Sequence, residues 1–190
     1  MKRVLLVLTL VLCANMALAE TAFQFTAPNL RAPDDPDVNG VRLSLLHGKN
    51  RSVRGFDLGI LSLSECAELS GLSLVAGMSR VTTGVSGGAV FSLVNYHTGR
   101  DSGVNGAFIN KVNDTESAFN VSFLNIADGS TLVDLGGLNM SDRSLVQLGF
   151  VNVTREIRSF QFGFLNIAKN GFLPVFPVVN FQTKRSAAQR

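Results

Sequence analysis

FQFGFLN at residues 160–166 and VQLGFVN at residues 146–152 are the clearest forms of a seven-residue phrase that recurs along the chain. The phrase reads apolar, polar, apolar, small, apolar, apolar, Asn. Repeats at a short period specify a stacked architecture in which each unit buries its neighbour's apolar face. The nine copies are spaced 13–17 residues apart and begin at Val41, Phe56, Leu72, Ala89, Val104, Phe119, Val133, Val146 and Phe160.

Within each copy the residue types are those of β-strands, with Val, Leu, Ile and Phe alternating with polar or small residues. Position two is polar in eight copies, with Val90 the exception, and position four is Gly, Ser or Ala except at Val75. We expect position four to be a tight site, where Gly149→Leu would be destabilising. Positions five and six are both apolar, and a strand cannot change faces in this way without a bulge or a corner.

Position seven is asparagine in the last six copies, although Asn is depleted in ordinary strands. The first three copies carry His47, Ser62 and Met78 there instead. Stacked coils would let the asparagines form a ladder, in which each amide bonds to the Asn above and below. The alternative is that each Asn starts a turn. The predicted column is Asn95, Asn110, Asn125, Asn139, Asn152 and Asn166.

Two all-β architectures fit such an array: a parallel β-solenoid of about nine coils, or an up-and-down antiparallel β-barrel of about ten strands. Successive strands of an up-and-down barrel run in opposite directions, so its sequence pattern is expected to repeat every two strands. Here the pattern repeats with every strand. Membrane barrels carry aromatic girdles, but the chain has no Trp and one Tyr. Pro174 and Pro177 suit a C-terminal cap rather than a closing strand. The sequence therefore favours the solenoid.

The chain divides into five segments. Residues 1–19 read as a secretory signal peptide, with Lys2 and Arg3, an apolar stretch and an Ala-Leu-Ala cleavage site. A Pro- and Asp-rich lead-in follows at residues 20–40, with a short strand expected at residues 22–26. The remaining segments are the repeats at 41–167, a capping segment at 168–182 and a basic tail at 183–190.

Charge and cysteine content argue against two classes of protein. The chain has 17 Lys+Arg and 14 Asp+Glu, and loss of Lys2 and Arg3 with the signal peptide would leave 15 against 14, a net charge of +1. That balance gives no reason to expect nucleic-acid binding. Cleavage would also remove Cys13 and leave Cys66 alone, so a disulfide-stapled domain is not expected. We expect Cys66 to be a small side chain near a coil turn rather than a reactive thiol.

The sequence predicts no catalytic, cofactor-binding or metal-binding residues. His47 and His97 lie about three coils apart and lack the further ligands that a zinc site needs. We expect His97 to be a solvated turn residue. The glycine-rich stretch at residues 84–88 is followed by neither a Lys nor a helical pattern, so it is not typical of a phosphate-binding loop.

The repeats resemble a bacterial surface-repeat family first named from a leptospiral protein. The similarity rests on FNVSFLNIADG from Phe119, VQLGFVNV from Val146 and FQFGFLNIAKNG from Phe160, and on the ending FLPVFPVVNF. It spans residues 41–181 and is looser in the early copies, as where Gly106 replaces the third-position apolar residue. The resemblance implies an exported, envelope-associated bacterial protein and brings no catalytic residues.

Three functions are compatible with these features. The first is a non-enzymatic envelope or surface module with a structural or interaction role, which would bind a protein or a glycan and could associate with a membrane. The second is a small outer-membrane barrel with a structural or pore role. The third is an enzyme acting on surface polysaccharide, which would need paired carboxylates at one level of the stack, whereas the repeat acids are scattered. The expected location is the periplasm, the outer membrane or the surface of a bacterium.

Overall fold

Extended strands make up nearly all of the described chain. The computed structural model describes residues 21–183, except for the side chain of Asp114. The signal peptide expected at residues 1–19, and residues 184–190 of the expected basic tail, lie outside the described range. The strands are β1 (Thr21–Ala27), β2 (Leu30–Ala32), β3 (Asp37–Val85), β4 (Ala89–His97), β5 (Arg100–Asp101), β6 (Val104–Ala168) and β7 (Val175–Phe181).

Consecutive copies pair in parallel, which makes the fold a β-solenoid. Leu72 lies opposite Ala89, which in turn lies opposite Val104, and the pairings among β3, β4, β5 and β6 are all parallel. The predicted parallel solenoid is therefore confirmed, and the antiparallel alternative is wrong. The solenoid has about seven turns. That is fewer than the nine coils expected.

Each coil turns a corner near position five. Between β4 and β6 the pairing passes from Phe91 opposite Gly106 to Val94 opposite Ile109, without a pair in between. A register shift marks the same place between β3 and β4. The corner explains why positions five and six are both apolar, since both side chains point outward on its two sides.

The interior of the solenoid is largely polar, which reverses the expectation that each unit buries its neighbour's apolar face. Gln147 and Asn152 are fully buried, whereas Phe150 and Phe164 are 75% and 83% exposed. Buried polar side chains are tolerated when each finds hydrogen-bond partners, and here they bond to one another from coil to coil. A small apolar cluster lies in the N-terminal coils: Val53, Cys66, Leu69, Val81, Val85 and Val90.

Antiparallel strands close both ends of the stack. The strand expected at residues 22–26 is present as β1, which continues the parallel stack, and β2 folds back on it. At the other end β7 lies antiparallel on the last copy. Pro33 follows β2 and Pro177 lies within β7. Because proline has no backbone N–H, these outer edges are poor templates for a further strand. Within residues 21–183 there is no helix with the length and hydropathy needed to cross a membrane.

Candidate interaction face

The six asparagines of position seven form a ladder inside the solenoid. Asn95 donates from Nδ2 to Oδ1 of Asn110 over 2.8 Å, and Asn110 donates in the same way to Asn125 over 3.0 Å. The three later steps, through Asn139 and Asn152 to the last asparagine, are each 2.8 Å. In each of the first five members, the second amide hydrogen is donated to a backbone carbonyl. Since both hydrogens and the oxygen are used within the fold, we assign the column a structural role.

One copy before the first asparagine, a serine lies in line with the column. Ser79, which is 2% exposed, lies opposite Asn95, whereas Met78 lies opposite Val94 at position six. The expected placement of Met78 at position seven is therefore wrong by one residue. The cause is an extra residue at the corner, because three steps from Val75 to Met78 match two steps in the next copy.

Position four is small because it faces the ladder. A Cβ atom on Gly149 would lie 2.6 Å from Nδ2 of Asn139 and 3.1 Å from Oδ1 of Asn152, which is too close without a shift. Two serines at this position add a hydrogen bond to the ladder: Ser92 donates to Oδ1 of Asn95 over 2.6 Å, and Ser122 donates to Oδ1 of Asn125 over 2.7 Å. Glycine at this position therefore leaves room for the ladder, and Ser92 and Ser122 add a hydrogen bond to it.

A second buried polar column follows position two. Asn105 donates to Asn120 over 3.1 Å, Asn120 donates to Asp134 over 2.9 Å, and Gln161 donates to Gln147 over 2.7 Å. Burial raises the pKa of the Asp134 carboxyl, and the hydrogen bonds that it accepts oppose that rise. The sequence marked these residues as polar but gave no sign that they lie inside.

The first coils bury an ion pair in the same column. Nη2 of Arg42 lies 2.8 Å from Oδ2 of Asp57, and the two side chains are 0% and 1% exposed. Arg42 also donates to Oδ1 of Asn50 over 3.1 Å, and Ser73 donates to Asp57 over 2.9 Å. Nearby, burial raises the pKa of the Cys66 thiol to about 12. The thiol is therefore protonated at neutral pH and a poor nucleophile.

His97 is buried rather than solvated, so the expectation of an exposed turn residue is wrong. Its Nδ1 lies 2.6 Å from Oδ2 of Asp101, and its backbone lies between those of Val81 and Val112 in the adjacent coils. Asp101 also accepts the 3.1 Å hydrogen bond from Asn105. Among the described residues, no group of three or more His, Cys, Asp and Glu side chains is placed to hold a metal ion.

The outward side chains of positions one, three and five form one continuous surface, called here the apolar face. The rings of Phe108 and Phe123 stack on it, with centroids 5.3 Å apart. Gly106 is small because the ring of Phe91 leans over it, and a Cβ there would lie 2.7 Å from ring atom Cε1. Nine phenylalanines of the face are 38–83% exposed: Phe56, Phe91, Phe108, Phe119, Phe123, Phe150, Phe160, Phe162 and Phe164.

The apolar face extends over both end strands and carries no charge. Phe23 of β1 lies opposite Val41, and Phe181 of β7 lies opposite Phe160. Positions one, three and five hold no charged residue in any of the nine copies. The exposed charged side chains lie instead in the runs between copies, where they form pairs such as Arg100 with Glu116. The charged and apolar surfaces of the solenoid are thus separate.

A cleft beside the first coils is a weaker candidate for binding. It has a volume of about 510 Å³, and its lining includes Arg31, Arg51 and Arg80. Each of these arginines is paired with a neighbouring carboxylate. Paired charges in solvent attract an added anion only weakly.

No protein family, curated protein or solved structure matches the chain. The resemblance to leptospiral-type surface repeats stays a prediction from the sequence. The candidate interaction face therefore depends on the geometry of this chain alone.

Proposed function

We propose that the protein is a non-enzymatic, exported module of the bacterial cell envelope or surface, which acts by presenting its apolar face to a partner. The observation that carries the proposal is the exposure of nine phenylalanines on one uncharged face. Monomeric soluble proteins seldom expose contiguous apolar patches beyond about 300–600 Å² unless the patch binds something. A rod of stacked coils with closed ends holds such a face rigid.

The internal bonding of the polar groups supports a non-enzymatic role. Asp57 and Asp134 are 1% and 0% exposed, and both accept hydrogen bonds from neighbouring coils. Carboxylates used for acid–base chemistry must instead reach a substrate. The ladder amides and the pair formed by His97 and Asp101 are buried in the same way.

The features of residues 1–19 support export. They combine Lys2 and Arg3 with an apolar stretch and a small-residue cleavage site before Glu20. The protonated, buried thiol of Cys66 is compatible with an oxidising compartment, because a thiol with its pKa raised to about 12 is slow to form mixed disulfides.

Processing of the full chain in a bacterium with two membranes tests the proposed export. We expect the intact mass to correspond to a chain that begins at Glu20, in the periplasmic or outer-membrane fraction. Leu8→Asp places a charge in the apolar stretch and should leave the chain unprocessed, whereas Leu8→Ile should not. A wild-type chain that keeps residues 1–19 in the cytoplasm would contradict the proposal.

A further inference from the structure

We propose that the apolar face is the interface between two copies of this chain. The inference deepens the proposed function, on which it rests for the idea that the face binds a partner. The area of the face supplies the first argument. A phenylalanine side chain carries about 200 Å² of surface, so nine rings at 38–83% exposure present on the order of 1,000 Å². A stable interface needs about 800 Å² from each partner.

The chemistry of the face matches a second copy of itself. Positions one, three and five carry no charge in any copy, so two such faces meet without burying an unpaired ion. Permanent interfaces between identical chains are the most apolar of protein interfaces. Two sheets that face each other pack about 10 Å apart, with side chains interleaved.

The closed ends direct association toward this face. A solenoid with bare ends could add strands along its axis, but β2 covers residues 25–27 of β1 and β7 covers the last copy, both as antiparallel edge strands. Pro177 further interrupts the outer edge of β7. End-to-end growth is thereby disfavoured, and the lateral face is the large uncovered surface.

A two-fold axis near the middle of the rod gives a closed dimer. Position five carries a bulky ring in the last two copies, Phe150 and Phe164. In the first two copies the same position carries the smaller Leu45 and Ile60. In an antiparallel arrangement the bulky end of one copy lies on the smaller side chains of the other. The same patch is then used by both copies, and the assembly stops at two.

A lipid surface fits the face less well. Interfacial membrane binding favours Trp and Tyr at the headgroup level and an excess of Lys and Arg beside the apolar face. The chain has no Trp and one Tyr, and exposed pairs such as Arg155 with Asp142 balance the charge of the runs between copies.

Sedimentation equilibrium of the purified chain over a range of concentrations tests the inference. We expect twice the chain mass. The double variant Phe150→Glu, Phe164→Glu should raise the dissociation constant on the order of 100-fold or more, because burial of unpaired charges opposes association. Lys169→Glu, an exposed charge change outside the face, should leave the mass unchanged, and circular dichroism should show all variants folded.

Three results would overturn the inference. These are a wild-type chain that stays monomeric at every concentration, a double variant that dimerises with the same dissociation constant as wild type, and a monomer that floats with phosphatidylcholine vesicles unless Phe150 and Phe164 are changed to Glu. The last result would assign the face to lipid. Association is measured on purified protein from any compartment, so a failure of export leaves this result standing, and a monomeric result leaves export standing.

Discussion

Asn139→Ala removes one rung from the middle of the ladder, and we expect it to lower the free energy of unfolding by about 3 kcal/mol. The change breaks the 2.8 Å bond from Asn125, the 2.8 Å bond to Asn152 and the 3.0 Å bond to the carbonyl of Leu148. An Nδ2 hydrogen of Asn125 and Oδ1 of Asn152 then lose their partner in a buried site. Each stranded group costs about 1–3 kcal/mol, and relaxation keeps the sum toward the lower end.

Asn166→Ala is the matched control, because Asn166 ends the ladder. It accepts the 2.8 Å bond from Asn152 but donates only within its own copy, to the carbonyl of Gly163. One inter-coil bond is lost in place of two, so we expect a loss of about 1–2 kcal/mol. The difference between the two variants measures the coupling between coils.

Urea unfolding followed by far-ultraviolet circular dichroism measures both losses. The chain has no Trp, so backbone signal is preferable to fluorescence, and one protein concentration must be used throughout because association shifts apparent stability. The transition midpoint and its slope should both be compared, since repeat arrays can unfold in parts. The reasoning is refuted if Asn139→Ala costs less than about 0.5 kcal/mol or no more than Asn166→Ala.

Three further predictions concern other buried sites. Gly149→Leu should lower the free energy of unfolding by about 1–3 kcal/mol, because even a Cβ atom at this position would contact the ladder. Ala107→Gly, at the same position of another copy, should lower it by at most about 1 kcal/mol. Equal losses for the two variants in urea unfolding would contradict the explanation that the ladder restricts position four. Burial raises the pKa of the Cys66 thiol to about 12, so the thiol should resist alkylation by iodoacetamide in the native chain and react in denaturant. Mass spectrometry measures the extent of alkylation, and rapid alkylation of the native chain would contradict the burial of Cys66. Burial raises the folded-state pKa of the Asp134 carboxyl, so as the pH rises the unfolded chain loses that proton at a lower pH than the folded chain does. The free energy of unfolding therefore falls as the pH rises from the ordinary aspartate pKa toward the raised one. Asp134→Asn should remove this part of the pH dependence. An unchanged pH profile of the urea midpoint would contradict the assignment.

The sequence alone predicted the parallel stack, because its period is one strand. When the seven-residue phrase repeats once per coil with its Asn at the same position, all of the strands must run in the same direction. The asparagine column could be found for a similar reason, since six equal residues in register fall on one line. The prediction was wrong at Met78, where one extra residue at the corner shifts Ser79 into the column. Corner length is a local backbone property that a residue-type pattern does not report.

Which side of the strand faces inward could not be read from the pattern. Alternation of Phe162 with Gln161 is the same whether the ring or the amide is buried. The usual assumption buries the ring, but a narrow coil stacks identical side chains directly on one another, and stacked amides then bond along the axis, as Gln161 does to Gln147. The polar interior and the exposed apolar face therefore have one cause: inter-coil hydrogen bonding stabilises the interior and leaves the apolar side chains on the outside.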